Sequence, residues 1–139
     1  MLDEPTDGLD PIVRSKLFDF IFDYVARFKT TILFSSHILS EIERISDRVI
    51  FIKNGRRILE EDIDSLKENS ALFVAKAKSG NAKIPGFVTY EEKDGFMEIR
   101  AIGNAKEAEE KLRDAGFEVV KKIPLTFEEI VVSYTEAYK

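Results

Sequence analysis

The sequence predicts an α/β chain whose first half reads as helix and covered strand, followed by a small α+β domain with an antiparallel sheet. Three observations carry this. With 139 residues, 44% of them apolar, the chain can build a core. Thr31-Ile32-Leu33-Phe34 is a continuous apolar run with β-branched residues, the pattern of a parallel strand covered on both faces. After residue 70 the periodicities follow the order strand, strand, strand, helix, strand, helix. The change of pattern at Ser70 divides the chain into residues 1–69 and 70–139.

Taken in order, Asp10 and Pro11 make a helix start, an N-cap acceptor followed by proline at the first helical position. The helix is predicted over Pro11–Phe28. Val13, Leu17, Ile21, Val25 and Phe28 recur at helical spacing, and Phe18, Phe20, Phe22 and Tyr24 widen the stripe beyond one packed face. Part of this aromatic surface therefore needs a further partner, such as a second copy of the chain. After Thr31–Phe34 comes Ser35-Ser36-His37, at the C-terminal edge of the expected strand, where open α/β sheets place ligands. A short helix ending near Ser46 carries Ile38, Ile42 and Ile45 on its packed face, with Glu41, Glu43 and Arg44 away from it.

Arg48–Lys53 is a strand and Asn54-Gly55 a two-residue hairpin turn, because both positions tolerate positive φ; Arg56–Glu60 returns. Arg56 and Arg57 read as a solvated hairpin arm rather than a phosphate site. Asp62–Asn69 is a short capped helix. Ala71–Lys78 and Phe87–Lys93 are strands joined by a polar connection over Ser79–Gly86, and Asp94-Gly95 turns into a strand over Phe96–Ile102. Glu91, Glu92 and Asp94 are a solvated cluster at that turn. Asn104 is expected to cap a helix with Ala105, Ala108, Leu112 and Ala115 in a narrow stripe, stopped by Gly116. Phe117–Ile123 is a strand. Thr126 and Glu129 form a capping box before a last helix striped by Phe127, Ile130, Val131 and Tyr134.

The chemistry concentrates at the start. Asp3 and Glu4 are adjacent carboxylates, with Asp10 close behind. Such pairs serve nucleotide hydrolysis, where one carboxylate positions Mg²⁺ on the phosphates and its neighbour orients or deprotonates the attacking water. Read through to the histidine, D-E-P-T-D-G-L-D-P, helix, strand and Ser35-Ser36-His37 resemble the second half of an ABC transporter ATP-binding subunit: a Walker B end, a D-loop and a switch histidine. The hairpin D-R-V-I-F-I-K-N-G-R-R-I-L-E-E-D is similar to the one that closes the nucleotide-binding domain in that family. The ending L-T-F-E-E-I-V-V-S-Y is similar to the tail of its exporter-type branch.

The resemblance covers roughly residues 1–62. It implies the C-terminal part of a P-loop ATPase nucleotide-binding domain, with Asp3 holding Mg²⁺ through water, Glu4 as general base, Asp10 as a cofactor-binding residue of the D-loop that faces the partner subunit, and His37 as γ-phosphate sensor. It also implies ATP as cofactor, a transmembrane permease and a second nucleotide-binding subunit as partners, and a cytoplasmic location peripheral to the membrane. None of the seven glycines precedes a lysine, so the phosphate cradle G-x-x-x-x-G-K-[ST] is not in these residues, nor is L-S-G-G-Q. The chain alone is therefore expected to be catalytically incompetent.

The formal net charge of −5, with both signs scattered, argues against a nucleic-acid footprint. That and the lack of a coiled-coil pattern weigh against an ABC-type ATPase of DNA repair or translation. No run approaches the roughly 18 apolar residues that span a bilayer. Zero cysteines exclude disulfides and thiolate metal sites. The reading that competes with the transporter subunit is a non-enzymatic regulatory or dimerisation module, carried by residues 70–139.

Overall fold

The computed structural model describes residues 1–78 and 89–137. The fold is mixed helix and strand with antiparallel sheets, and it divides into two compact units, Met1–Ser46 and Asp47–Lys139. The expected connection over residues 79–86 and the first two residues of the strand expected over 87–93 lie outside the described residues. No described helix is long and apolar enough to cross a membrane.

The first unit is built on α1 (Pro11–Phe28) and α2 (Leu39–Ile45). Asp10 starts α1 as expected, its Oδ1 accepting from the N–H groups of Ile12 and Val13 at 2.9 and 3.1 Å. Lys29 ends it at φ +50°, in the left-handed region. The covered parallel strand over Thr31–Phe34 does not form. The segment makes one parallel bridge, Leu2 to Phe34, with Leu2 N–H donating to the Leu33 carbonyl at 2.8 Å and Ser35 N–H to the Leu2 carbonyl at 3.0 Å. A strand is a ladder, and among the described residues Leu2 is its whole partner; Leu33 is consequently exposed. Phe18 and Ile21 are buried, with the Arg44 guanidinium 5.0 Å from the centre of the Phe18 ring. Phe20, Phe22, Tyr24 and Phe28 are exposed.

In the second unit β1 (Arg48–Lys53) and β2 (Arg56–Asp62) pair antiparallel around Asn54-Gly55, whose φ angles are +51° and +70°. β2 runs two residues further than expected. Glu60 takes ion pairs from Arg48 and Arg57, in keeping with a solvated arm. α3 (Ile63–Glu68) is capped by Asp62, which accepts from Ser65 N–H at 3.0 Å. β3 (Ala71–Ala77), β4 (Thr89–Lys93), β5 (Phe96–Ala101) and β6 (Phe117–Pro124) form one antiparallel sheet in the order β4-β5-β3-β6.

Helix α4 (Ala105–Asp114) lies on that sheet. Its Ala105, Ala108 and Leu112 close over Phe73, Ala75, Ile99 and Phe117 in a single core. Three alanines let the helix backbone approach while Leu112 and the phenylalanines fill the volume. Asn104 occupies the N-cap position, but its side chain makes no capping bond, which corrects the expectation; its carbonyl accepts from Ala108 N–H instead. Gly116 ends the turn at φ +85°.

Helix α5 (Phe127–Ala137) opens on the expected box: Thr126 N–H donates to Glu129 Oε2 at 2.8 Å and Glu129 N–H to Thr126 Oγ1 at 3.3 Å. It contacts α3 and β4, buries Phe127 and Ile130, and sets the Tyr134 ring edge-on to Phe51, centroids 6.0 Å apart.

Candidate functional site

The acidic stretch folds as a chain of tight turns. Asp7 N–H returns to the Glu4 carbonyl at 3.1 Å and Leu9 N–H to the Thr6 carbonyl at 3.2 Å. Gly8 takes φ +71°, open to glycine without strain, whereas Glu4 takes φ +41°, which a side-chain-bearing residue adopts at a cost of about 1–3 kcal/mol. Strain of this kind persists where surrounding bonds over-determine it. Here the Glu4 N–H donates to Ser35 Oγ at 2.9 Å, and the same hydroxyl donates to Asp3 Oδ1 at 2.5 Å. One serine thus receives the backbone of one acid and grips the side chain of the other.

His37, two residues on, brings Nδ1 to 3.1 Å from Glu4 Oε2. An ionised carboxylate only accepts, so whenever Glu4 is ionised this contact keeps the proton on Nδ1. Both side chains are exposed. Such a pair contributes about 0–1 kcal/mol to stability, so its geometry is set by the backbones that carry it. Asp3, Glu4 and His37 are therefore gathered at one place through Ser35. Asp10 is engaged elsewhere, as the cap of α1.

Beneath the pair is a polar cluster that the sequence pattern misjudged. Glu41 was expected away from the packed face of its helix and is instead 6% exposed. Its Oε2 accepts from Thr6 Oγ1 at 2.8 Å and from Ser36 Oγ at 3.4 Å, and its Oε1 lies 2.8 Å from Arg14 Nη1. Arg14 Nη2 donates to the Leu9 carbonyl at 3.2 Å. Charge at helical spacing reads as a solvated face by default; only the partners, 27 and 35 residues away, reveal that this carboxylate is inside. Among the described residues, no group of three or more acidic or histidine side chains converges as a metal cage.

Over about half its length, the chain is similar to the ATP-binding proteins of ABC transporters. It is 44% identical over 73 residues to the lantibiotic transport ATP-binding protein SrtF of Streptococcus pyogenes, a stretch covering 52% of this chain and 31% of that protein. It is 41% identical over 68 residues to the ABC transporter ATP-binding protein YtrB of Bacillus subtilis, covering 49% of this chain and 23% of YtrB. Against the bacitracin transport ATP-binding protein BcrA of Bacillus licheniformis the identity is 40% over 74 residues, 53% of this chain and 24% of BcrA. The chain thus matches less than a third of the length of these curated relatives. No family model matches it.

Proposed function

We propose that this chain supplies part of the ATP-hydrolysing subunit of an ABC transporter, with Glu4 as general base for the hydrolytic water and His37 as the group that registers the terminal phosphate. The observation that carries this is the 3.1 Å contact between Glu4 and His37 beside Asp3. A base is useful only where the water and the phosphate it attacks are held together, and the pair puts an acceptor and a phosphate-binding ring side by side. With Nδ1 holding a proton for Glu4, Nε2 is the ring atom left for a phosphate oxygen, and it donates there when the ring is cationic.

Asp3 and the Ser35 hydroxyl form an all-oxygen donor set of the kind Mg²⁺ takes, since that ion completes its shell with water and phosphate rather than with a protein cage. When bound, Mg²⁺ neutralises charge on the phosphates. The two acids have different partners, Asp3 the Ser35 hydroxyl and Glu4 the His37 ring, in keeping with separate roles. Asp10, at the end of the turn, would face the second nucleotide-binding subunit. The expected setting is cytoplasmic and peripheral to the membrane, with a permease as partner. The names of SrtF, a lantibiotic transport protein, and BcrA, a bacitracin transport protein, support a role in transport, and the ending Leu125–Tyr134 is what favours the exporter branch.

These 139 residues contain no phosphate cradle, so ATP turnover by them alone should stay at background. Grafting residues 1–46 in place of the matching segment of SrtF supplies one. The graft should hydrolyse ATP, and Glu4→Gln should slow it by roughly 10²–10⁴-fold while ATP still binds. An equally fast Glu4→Gln graft would refute the assignment.

Residues 70–139 we propose as an accessory regulatory domain, because they carry a complete sheet and the core formed by Phe73, Ile99, Leu112 and Phe117. Calorimetric titration of ATP and small metabolites, with and without residues 1–69, tests whether that part binds a ligand of its own.

A further inference from the structure

The Glu4–His37 contact joins two exposed side chains, and exposed pairs are too weak to hold themselves in place. Beside the Ser35 hydroxyl and the Leu2–Phe34 bridge, a buried group ties their backbones together. Thr6 follows Glu4 by two residues and Ser36 immediately precedes His37. Both hydroxyls donate to the same oxygen of Glu41, at 2.8 and 3.4 Å. The other oxygen of Glu41 meets Arg14, which in turn holds the Leu9 carbonyl of the same acidic loop. One carboxylate therefore grips the loop that carries the acid and the turn that carries the histidine.

We infer that Glu41, braced by Arg14, is a positioning residue that sets the separation of Glu4 and His37; its importance for catalysis rests on the function proposed above. A merely structural role would be served as well by an apolar side chain of similar volume, because a buried charge pair is seldom more stabilising than the hydrophobic packing it displaces. A carboxylate is required when two hydroxyls from different loops and one cation must converge on a single side chain.

His37 is the chain's one histidine, so its ring ¹H–¹⁵N correlations report on it alone. Glu4→Gln, which replaces the carboxylate facing Nδ1, defines the signals of the uncoupled ring. Glu41→Gln keeps the shape but removes the charge that holds Arg14, and Thr6→Val removes a single hydroxyl. Both should move the His37 ring nitrogens toward the Glu4→Gln values while backbone amide signals stay dispersed. If Glu41→Gln does not fold, Thr6→Val decides. The inference is overturned if a folded variant lowers the melting temperature yet leaves the His37 signals at their wild-type positions, or if Glu4→Gln itself leaves them unmoved. No nucleotide is present in this measurement, so a failure of the ATPase assignment, read from the graft, is distinguishable from a failure of the clamp.

Discussion

Glu4 meets His37 at 3.1 Å across 33 residues of sequence, and does so from a backbone angle of +41° that Glu4 adopts against its own preference. The strain can be measured separately from the contact. Glu4→Gly and Glu4→Ala both delete the carboxylate, but only glycine is at ease at positive φ. The glycine variant should be the more stable of the two by about 1 kcal/mol in urea unfolding. Equal stability would mean that the turn relaxes without strain.

The same argument applies at Lys29, which closes α1 at φ +50°. Helices commonly end on glycine in this conformation. Lys29→Gly should raise the unfolding free energy by roughly 0.5–1 kcal/mol, read from the denaturation midpoint.

The buried pair makes an asymmetric prediction. Arg14→Met alone leaves the Glu41 carboxylate without its cation, at a cost of about 3–5 kcal/mol. Arg14→Met with Glu41→Leu removes both charges and should recover much of that loss. A double variant as unstable as the single one would show that the hydroxyl bonds from Thr6 and Ser36, not the ion pair, carry the stability.

Glu129 supplies a pH dependence. The N–H of Thr126, then its hydroxyl, hold the Glu129 carboxyl below its ordinary value against an opposing effect of burial, with the Arg100 charge adding the smallest contribution. A lowered folded-state pKa stabilises above the unfolded value, near 4.3, and that contribution is lost as pH falls through the folded value. Glu129→Gln should therefore flatten the acid limb of the stability curve below about pH 4.3, with little change in shape above neutrality. The check is thermal unfolding of both proteins between acid and neutral pH.

The two units should differ in their resistance to opening. Among the described residues, the first buries Phe18 and Ile21 while Phe20, Phe22, Tyr24 and Phe28 stay exposed; the second buries Phe73, Ile99, Leu112, Phe117, Phe127 and Ile130. Amides of α1 should exchange with deuterium sooner than those of β3 and β5. Leu112→Ala should cost about 2–5 kcal/mol in the second unit.

What the linear sequence determined were features whose cause lies within a few residues. Asp10-Pro11 starts a helix because the cap and the missing donor are adjacent. Asn54-Gly55 and Asp94-Gly95 turn because those residues accept positive φ. Thr126 and Glu129 cap α5 because they are three apart, and Ala105, Ala108 and Leu112 share a face of α4 for the same reason. The order of acid pair, helix and histidine was likewise plain in the sequence. Tertiary structure alone decided the features that depend on distant partners. Thr31–Phe34 has the composition of a covered strand, yet it forms a single bridge because a ladder needs neighbours that local sequence does not provide. Asn104 has a capping side chain that goes unused. Glu41 looked like a solvated charge and became the buried centre of the first unit, because desolvating a carboxylate is tolerable only where a cation and donors from remote segments arrive together, and no local spacing encodes that meeting.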